Sequence, residues 1–382
     1  MKNFYKNKKI LVTGGTGMIG LPLVNILNNL GAKVTVVSLE KNNLLPKKVK
    51  FFKLDLRNLK NCLRITKNID YVFHLAGIKG SPIMARQHPY RFMSPMLMFN
   101  TNIIDASIKN KVKHFLFTSS IGVYKPSKIL REDDVWKTFP SNNDWYAGWA
   151  KRIGELNIDA ARIESKMKCT IVRPANVFGP FDNFDEKTGM VIPSLISKFF
   201  KSKNNKVEVF GDGSNIRDFI FSEDVAKAIV LTMYKNPKVP INIGSGKGYT
   251  IKQIVKIINS YFNYKFKIIW NKNVPTGDKK RVMDNKKLKN LGFNNIQILR
   301  PFIEIYKKSI LTFNKNNNLN FINDPTNNDL NYTRTKLRNF LQDNKYKRYV
   351  KKDFINIKKQ IPDYKKMIWE TLIDNLIYVS AT

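Results

Sequence analysis

The chain has 382 residues, of which 43% are hydrophobic, so it can bury a sizeable core and is not a mainly disordered protein. Only a three-residue apolar run precedes the first glycines, and no uncharged run of about 18 apolar residues follows. These features predict a cytoplasmic protein without a membrane segment. Cys62 and Cys169 lack metal-ligand spacing, so we expect two buried thiols and no metal site.

The formal net charge is +38, which raises the question of a nucleic-acid partner. Residues 331–382 hold 12 Lys and Arg against 5 Asp and Glu, a balance of +7, which leaves +31 for residues 1–330. The excess is therefore spread along the chain. Because Lys, Asn, Ile, Phe and Tyr all have A/T-rich codons, coding bias accounts for much of it. We predict weak affinity for polyanions and no specific nucleic-acid partner.

Strand-like and helix-like segments alternate through the first half of the chain, beginning with KKILVTG, GLPLVNILNNLG and KVTVVS. This alternation predicts an α/β fold with a doubly wound parallel sheet, the Rossmann type. We assign residues 1–175 to a dinucleotide-binding domain and residues 176–315 to a smaller α/β substrate lobe intertwined with it. Residues 316–382 are predicted to form a linker and a helical C-terminal extension.

The segment TGGTGMIG lies where the first strand passes into the first helix, and it contains Gly14, Gly17, Met18, Ile19 and Gly20. Glycines at such a turn let the backbone approach a pyrophosphate, which the N-terminus of the helix attracts. Because the segment lies between two predicted strands, it predicts a dinucleotide site.

The choice between NAD and NADP stays open, because the second strand ends at Ser38, where an acidic residue would favour NAD. A serine with Lys41 nearby suits a 2′-phosphate, whereas Glu40 could reach a ribose; an exposed loop that decides neither is the third interpretation. Further cofactor contacts are predicted after the next two strands, at Asp55, Leu56, Ala76 and Gly77.

Ser120 ends the fifth predicted strand, where its hydroxyl can face a substrate. Tyr146 and Lys151 follow in DWYAGWAKR, five residues apart. On a regular helix such a pair is about 140° out of alignment. A π-bulge, or a tyrosine just ahead of the first helical turn, would align them. Otherwise Ala147 occupies the catalytic place. We favour Tyr146 as the acid/base, with Lys151 beside the cofactor.

These motifs, together with RPANVFGPFDNF, NIRDF and NIGSG, resemble the extended short-chain dehydrogenases/reductases of the NAD-dependent epimerase/dehydratase family. The similarity covers roughly residues 8–314 and is strongest to the GDP-L-fucose synthase group. It implies a nucleotide-sugar substrate, a homodimer, and catalytic roles for Ser120 and Lys151. It further implies that Arg217 binds the substrate diphosphate and that Asn176 and Val191 line the sugar pocket.

Two further departures from that group bear on the reaction. Gly122 and Met190 stand where its members carry the cysteine and histidine that epimerise carbons beside a ketone. Neither residue can transfer a proton, so the double epimerisation is not expected. What remains is hydride transfer at a sugar carbon, by an NAD(P)-dependent epimerase or ketoreductase.

Two alternatives stay open. One is a non-catalytic binder of dinucleotide or sugar nucleotide with a degenerate Tyr/Lys site. The other is an RNA-associated protein, because DPTNNDLNYTRTKLR, residues 324–338, resembles a short segment of tRNA(Ile)-lysidine synthases. The ATP-binding loop of those enzymes has no counterpart in this chain.

Overall fold

The computed structural model describes residues 1–40, 44–80, 82–186, 188–202, 204–260, 266–274 and 276–293. The predicted linker and helical extension, residues 316–382, lie outside the described residues, as does the predicted boundary at residue 315.

The strands in chain order are β1 Lys9–Thr13, β2 Lys33–Ser38, β3 Lys50–Lys53, β4 Tyr71–His74, β5 His114–Thr118, β6 Lys168–Pro174, β7 Asn176–Phe178, β8 Lys206–Phe210, β9 Ile216–Arg217, β10 Phe219–Phe221, β11 Ile241–Ile243, β12 Tyr249–Thr250, β13 Lys267–Asn271 and β14 Lys280–Arg281. The helices are α1 Lys2–Tyr5, α2 Gly20–Asn29, α3 Leu59–Thr66, α4 Pro82–Gln87, α5 Pro89–Lys109, α6 Trp145–Glu164, α7 Val191–Lys201, α8 Ser222–Lys235, α9 Ile251–Ser260 and α10 Lys286–Asn290. Three 3₁₀ turns span Ile121–Val123, Glu132–Lys137 and Asn142–Asp144.

Seven strands form one parallel sheet in the order β11-β6-β5-β4-β1-β2-β3. The chain moves outward from β1 to β3 and then returns to β4 on the other side of β1. A crevice opens at the carboxyl ends of neighbouring strands where the winding reverses in this way, and such crevices bind ligands. The predicted doubly wound α/β fold is confirmed.

Successive side chains of β1 point to opposite faces of the sheet, as strand geometry requires. Ile10 and Val12 belong to a core with α2 and α8, whereas Leu11 belongs to a second core with α3, α5 and α6. Each face is therefore covered by helices, and this explains why the strands are hydrophobic on both sides.

A smaller lobe of short strands packs around its own core of Phe199, Val207, Val209, Val255 and Phe266. Its ladders are β8 with β13, and β9 between β12 and β14. The segment INIGSG falls within residues 176–315, which the sequence assigned to the smaller lobe. It contributes β11, which pairs with β6 in the large sheet. The chain thus crosses between the two parts after residue 175.

A buried ion pair fixes α6 against the sheet. The guanidinium of Arg173 in β6 donates to both carboxylate oxygens of Glu155, over 2.9 and 2.6 Å, and both side chains are fully buried. Arg173 also donates to the Tyr124 hydroxyl and the Glu132 carbonyl. With most of its hydrogen bonds made, the charge tolerates burial, because direct partners offset the loss of water.

Cys62 lies in α3 and Cys169 in β6, and both are buried free thiols, as predicted. A search of the described helices finds none that is long and apolar enough to cross a membrane.

Candidate active site

The glycine segment forms a tight turn between β1 and α2. Gly14 has φ +67°, and a β-carbon there would lie 2.9 Å from the backbone nitrogen of Ala76, so only glycine fits. The Gly17 amide donates to the Gly14 carbonyl over 3.1 Å, and α2 begins at Gly20 after Met18 and Ile19. The amides of Leu21 and Leu23 donate to the Gly17 and Ile19 carbonyls and Pro22 has no amide proton, so in the first turn of α2 only the Gly20 amide has no partner among the described residues. This helix N-terminus follows β1 at the crevice, where a pyrophosphate would bind.

On the adenosine side of this crevice, the Ser38 hydroxyl at the end of β2 is buried and has no hydrogen-bond partner among the described residues. The carboxylate of Asp55 is already hydrogen-bonded to Arg57, whose Nε donates to its two oxygens over 2.8 and 3.1 Å. This hydrogen bond lowers the pKa of Asp55. The Leu56 carbonyl accepts from Asn102. Ser38 is thus the predicted contact that the fold leaves open to a ligand.

Ala76 and Gly77 follow β4 and pass close to the glycine turn. The Ala76 amide donates to the Thr13 hydroxyl over 3.1 Å, which holds this segment against β1. A β-carbon on Gly77 would lie 3.7 Å from the Nζ of Lys151. The segment therefore joins the predicted pyrophosphate site to the predicted catalytic lysine.

Lys151 is only 9% exposed, and its Nζ donates to the Thr118 carbonyl over 2.8 Å at the end of β5. Burial lowers the pKa of Lys151 to about 8, although Glu155 one turn further along α6 acts in the opposite direction. The hydroxyls of Thr118 and Ser119 beside it are buried without partners in the described part of the chain. A cation and unsatisfied hydroxyls at a crevice fit a polar ligand such as a ribose.

Ser120 follows directly and begins the 3₁₀ turn Ile121–Val123. Its Oγ accepts from the Gly122 amide over 3.1 Å, which leaves the hydroxyl proton free to be donated. A β-carbon on Gly148 of α6 would lie 2.5 Å from the Gly122 carbonyl, so this glycine lets α6 approach the turn. Ser120 and Lys151 are thus both placed at the carboxyl end of β5, since Lys151 donates to the Thr118 carbonyl and Ser120 follows two residues later.

Tyr146 is the second residue of α6, which is α-helical throughout Trp145–Glu164. The π-bulge considered from the sequence is therefore not present, and the placement ahead of the first helical turn is not adopted either. Ala147, four residues before Lys151, packs against the core on the Phe117 side of the helix, while Tyr146 is 47% exposed. The structure does not align Tyr146 with Lys151, because a regular helix separates positions five apart by about 140°.

Asn176, Val191 and Arg217, predicted from the resemblance to contact the substrate, line one cavity. Asn176 begins β7, Val191 begins α7 and Arg217 ends β9, so three separate elements bring them together. Met190 also lines this cavity, as do Asn143 and Asp144 just ahead of Tyr146. The cavity therefore extends from Arg217 to the start of α6.

Charged residues that the sequence did not single out surround Arg217. Asp278 accepts from Ser141 and Asn143 over 2.8 and 2.7 Å and from Arg281 over 2.7 Å. Arg281 also forms an ion pair with Asp144, which precedes α6. The only sequence signal was the charged segment TGDKKR, and the other partners of its Asp278 and Arg281 lie more than a hundred residues away in the chain.

Arg217 forms no ion pair within the described residues, and its Nη1 donates to its neighbour's carbonyl, that of Ile216, over 2.9 Å. Burial and the nearby Arg281 lower the pKa of Arg217 to about 10, which leaves it charged at neutral pH. Because Arg281 is already paired with Asp144 and Asp278, Arg217 carries the unpaired positive charge at this corner, and a partly desolvated guanidinium without an ion-pair partner favours an anion. This corner of the cavity suits a diphosphate.

Gly122 and Met190, the two departures noted in the sequence, both lie at this site. Met190 caps α7 and lines the cavity, and a β-carbon on Gly122 would lie 3.5 Å from the Ser120 hydroxyl. Neither position offers a titratable proton. Within the described residues, no group of three or more His, Cys, Asp or Glu side chains could hold a metal ion.

Comparison with known proteins identifies the fold family. The family model described as NAD dependent epimerase/dehydratase family matches residues 10–244. The chain belongs to this family. The predicted class of NAD(P)-dependent nucleotide-sugar enzymes is thereby confirmed, together with the NAD(P) cofactor. A second family model, described as PP-loop domain, matches residues 283–345, most of which lie outside the described residues.

Relatives in the family extend over most of this chain. It is 27% identical to Probable GDP-L-fucose synthase 1 of Oryza sativa, over 79% of this chain and 92% of the relative. A solved UDP-glucose 4-epimerase from Thermotoga maritima, with UDP-glucose, is 28% identical with TM-score 0.66, over 74% and 92% of the two chains. The structure of MoeE5 with UDP-glucose and NAD is 27% identical with TM-score 0.66, over 77% and 95%.

The residues of this chain fit the dinucleotide. Its pyrophosphate would lie on the glycine turn, an adenosine ribose beside Ser38, and the nicotinamide ribose near Lys151. When bound, NAD or NADP accepts or supplies a hydride.

We predict that Gly17→Val abolishes dinucleotide binding without unfolding the protein. A β-carbon at Gly17 would meet only the Gly14 carbonyl, at 3.4 Å, so the fold can accommodate a side chain there. The same side chain would keep a pyrophosphate from approaching the backbone of the turn. Calorimetric titrations with NAD and NADP, alongside the melting temperature, check both parts. Equal affinities in wild type and variant would show that the glycine turn does not bind the dinucleotide.

We also predict that dinucleotide affinity falls as the pH rises from 7 to 9. Lys151, with its pKa of about 8, is mainly an ammonium donor below that pH and mainly neutral above it. A contact that needs the ammonium then weakens by at most about tenfold per pH unit. Titrations of wild type and Lys151→Met should give a sloping and a flat profile, respectively. If the two proteins showed the same dependence of affinity on pH, Lys151 would not contact the dinucleotide.

Proposed function

We propose that the chain is an NAD(P)-dependent nucleotide-sugar ketoreductase or epimerase acting by hydride transfer at one sugar carbon. The observation that carries this function is the placement of both Lys151 and Ser120 at the end of β5, with Lys151 on the Thr118 carbonyl and Ser120 two residues further along the chain. Arg217 would bind the substrate diphosphate, while Asn176 and Val191 would line the sugar. The sugar's reacting carbon would then lie near Ser120.

Ser120 is proposed to orient the substrate's carbonyl or hydroxyl oxygen. Its Oγ already accepts from the Gly122 amide, so its own proton points away from that bond and can be donated to the oxygen. A donor fixed in this way stabilises negative charge that develops on a carbonyl oxygen as it is reduced.

Tyr146 is proposed to exchange the proton with that oxygen. It lies in the first turn of α6, where backbone amides lack partners within the helix, so a rearrangement of this turn breaks only the hydrogen bonds that its carbonyls accept from the next turn. The preceding Asp144 lines the substrate cavity and pairs with Arg281, so an arriving diphosphate would act on the same turn. Lys151 would favour the tyrosinate by its positive charge.

Reduction or re-reduction at one carbon is favoured over the double epimerisation of the GDP-L-fucose synthase group. That reaction removes protons from carbons beside a ketone and requires an acid/base at the positions of Gly122 and Met190. With glycine and methionine there, the proposed relay serves only the oxygen of the reacting carbon.

A second candidate is a dinucleotide or sugar-nucleotide binder without turnover. The observation in its favour is the regular start of α6, which puts Ala147 in line with Lys151 and leaves Tyr146 on another face.

We further propose a homodimer in a reducing compartment such as the cytoplasm. Exposed apolar side chains on α5 and α6 support a pairing face, with Met98 48%, Leu156 50% and Ile163 85% exposed. The two free cysteines suit a compartment that keeps thiols reduced.

Tyr146→Phe should retain dinucleotide affinity and lower the rate of hydride transfer to a nucleotide 4-keto sugar by roughly 10² or more, the scale of a lost general acid/base. Transfer is followed by the absorbance of the reduced cofactor. The matched variant Tyr146→Ala/Ala147→Tyr moves the hydroxyl one place along α6. Our proposal expects that this double variant does not restore the rate of hydride transfer. A rate above that of Tyr146→Phe would show that a tyrosine is productive at position 147. A wild type inert toward every sugar nucleotide tested would establish the binder.

Arg217→Ala should weaken sugar-nucleotide binding by roughly 10- to 100-fold, the range of a lost charge-assisted hydrogen bond, and leave dinucleotide binding unchanged. Calorimetry with GDP- and UDP-sugars measures this effect. Arg64→Ala, at an exposed position of α3, removes the same charge outside the cavity and should change neither affinity. Equal losses for both ligands in the Arg217 variant would indicate a misfolded protein instead of a diphosphate contact.

A further inference from the structure

A basic edge lies opposite the catalytic crevice, at the amino ends of the parallel strands. Lysines stand at or just before the starts of strands that neighbour one another in the sheet. Backbone hydrogen bonds of 2.8 to 2.9 Å join these starts in a row: Lys33 to Lys8, Asp70 to Lys9, Lys113 to Asp70, and Lys168 to Lys113. Since adjacent strands are about 4.8 Å apart, the row from β2 to β6 extends for roughly 19 Å.

A groove opens along one part of this edge. Lys111, Lys113, Lys166 and Lys168 line it, and all four are exposed. They come from the loops after α5 and α6, where each loop enters its strand, so the two pairs lie beside each other at the starts of the adjacent strands β5 and β6. The lysines are therefore placed by the sheet and not by a flexible arm.

The walls of this groove are apolar and include an aromatic ring. Phe4 of α1 lines it, stacked on Tyr71 with ring centroids 5.1 Å apart and planes 20° apart. Ile108 lines it as well and is 37% exposed. Rings and aliphatic side chains beside cations suit a ligand with both charged and flat apolar parts.

Little acidic charge opposes the lysines. Lys113 pairs with Asp70 over 2.7 Å, but the ion pairs of the described residues include none for Lys111, Lys166 or Lys168. Three uncompensated ammonium groups thus stand along one groove.

We propose that this groove binds single-stranded nucleic acid, with phosphates on the four lysines and bases or sugars against Phe4 and Ile108. Cationic grooves with aromatic walls bind single strands in this manner and without a sequence code. The site is separate from the dinucleotide crevice, which lies at the carboxyl ends of the same strands. Binding there does not require the proposed enzymatic function, and neither excludes the other.

The test uses the full-length protein and a fluorescein-labelled oligouridylate of about 20 nucleotides, titrated by anisotropy between roughly 50 and 200 mM KCl. The variant with Lys111, Lys113, Lys166 and Lys168 changed to Gln should bind at least about tenfold more weakly at the lower salt. The slope of its affinity against salt concentration should fall by about 0.7 for each phosphate that the variant no longer neutralises.

The matched control changes Lys125, Lys128, Lys252 and Lys256 to Gln, which removes the same four charges from exposed positions outside the groove. Its affinity should stay within about twofold of wild type. An equal loss in this control would assign the binding to net charge and overturn the site. If the four-site variant does not fold, the double variant Lys111→Gln/Lys166→Gln is measured instead. It keeps Lys113 and Lys168 at the strand starts, and its affinity for the oligouridylate should be several-fold lower than that of wild type.

Competition distinguishes the ligand class. Unlabelled oligouridylate should displace the probe at lower concentration than polyphosphate of equal charge or vesicles containing phosphatidylserine. If polyphosphate or the vesicles displaced the probe as effectively as oligouridylate, the apolar wall would have no role in binding, and the groove would be a surface that binds anions in general. Dinucleotide titration of the groove variant should match wild type, which separates this result from any failure of the proposed enzymatic function.

Discussion

The ion pair between Glu155 and Arg173 is the constraint on which the active site depends. It lies one turn beyond Lys151 and joins α6 to β6, so it sets how deeply the lysine enters the crevice. Because both groups are fully buried, removing either would leave an uncompensated charge, at a cost of about 3–5 kcal/mol. The same carboxylate also opposes the effect of burial on Lys151, so α6 is positioned and electrostatically adjusted by one residue.

The site is incomplete electrostatically without its ligands. Lys151 is a buried cation and Arg217 a half-buried one, and the pKa of each is lowered chiefly by loss of water. Neither has a carboxylate within ion-pair distance among the described residues. A ribose beside the first and a diphosphate beside the second would supply hydrogen bonds and charge that the protein itself does not. The cost of burying these groups is thus the source of their selectivity for a polar, anionic substrate.

The sequence was sufficient for the features that depend on neighbouring residues. Periodic apolar runs indicated the parallel sheet, and the glycine spacing indicated the turn at Gly14. Contacts between distant segments were not accessible in this way. The three-residue strand β11 is too short to be assigned to a sheet by pattern, and Asp144, one partner of Arg281, lies far from it in the chain. The place of Tyr146 depended on whether α6 begins as a regular helix, which spacing alone could not decide.

The most direct test is a crystal structure of the protein with dinucleotide and a nucleotide sugar bound. The account predicts that the first turn of α6 rearranges, so that the Tyr146 hydroxyl comes within about 3.2 Å of the substrate oxygen while Lys151 contacts the nicotinamide ribose. A complex in which α6 stays regular, with Ala147 facing the ribose and Tyr146 directed to solvent, would contradict it.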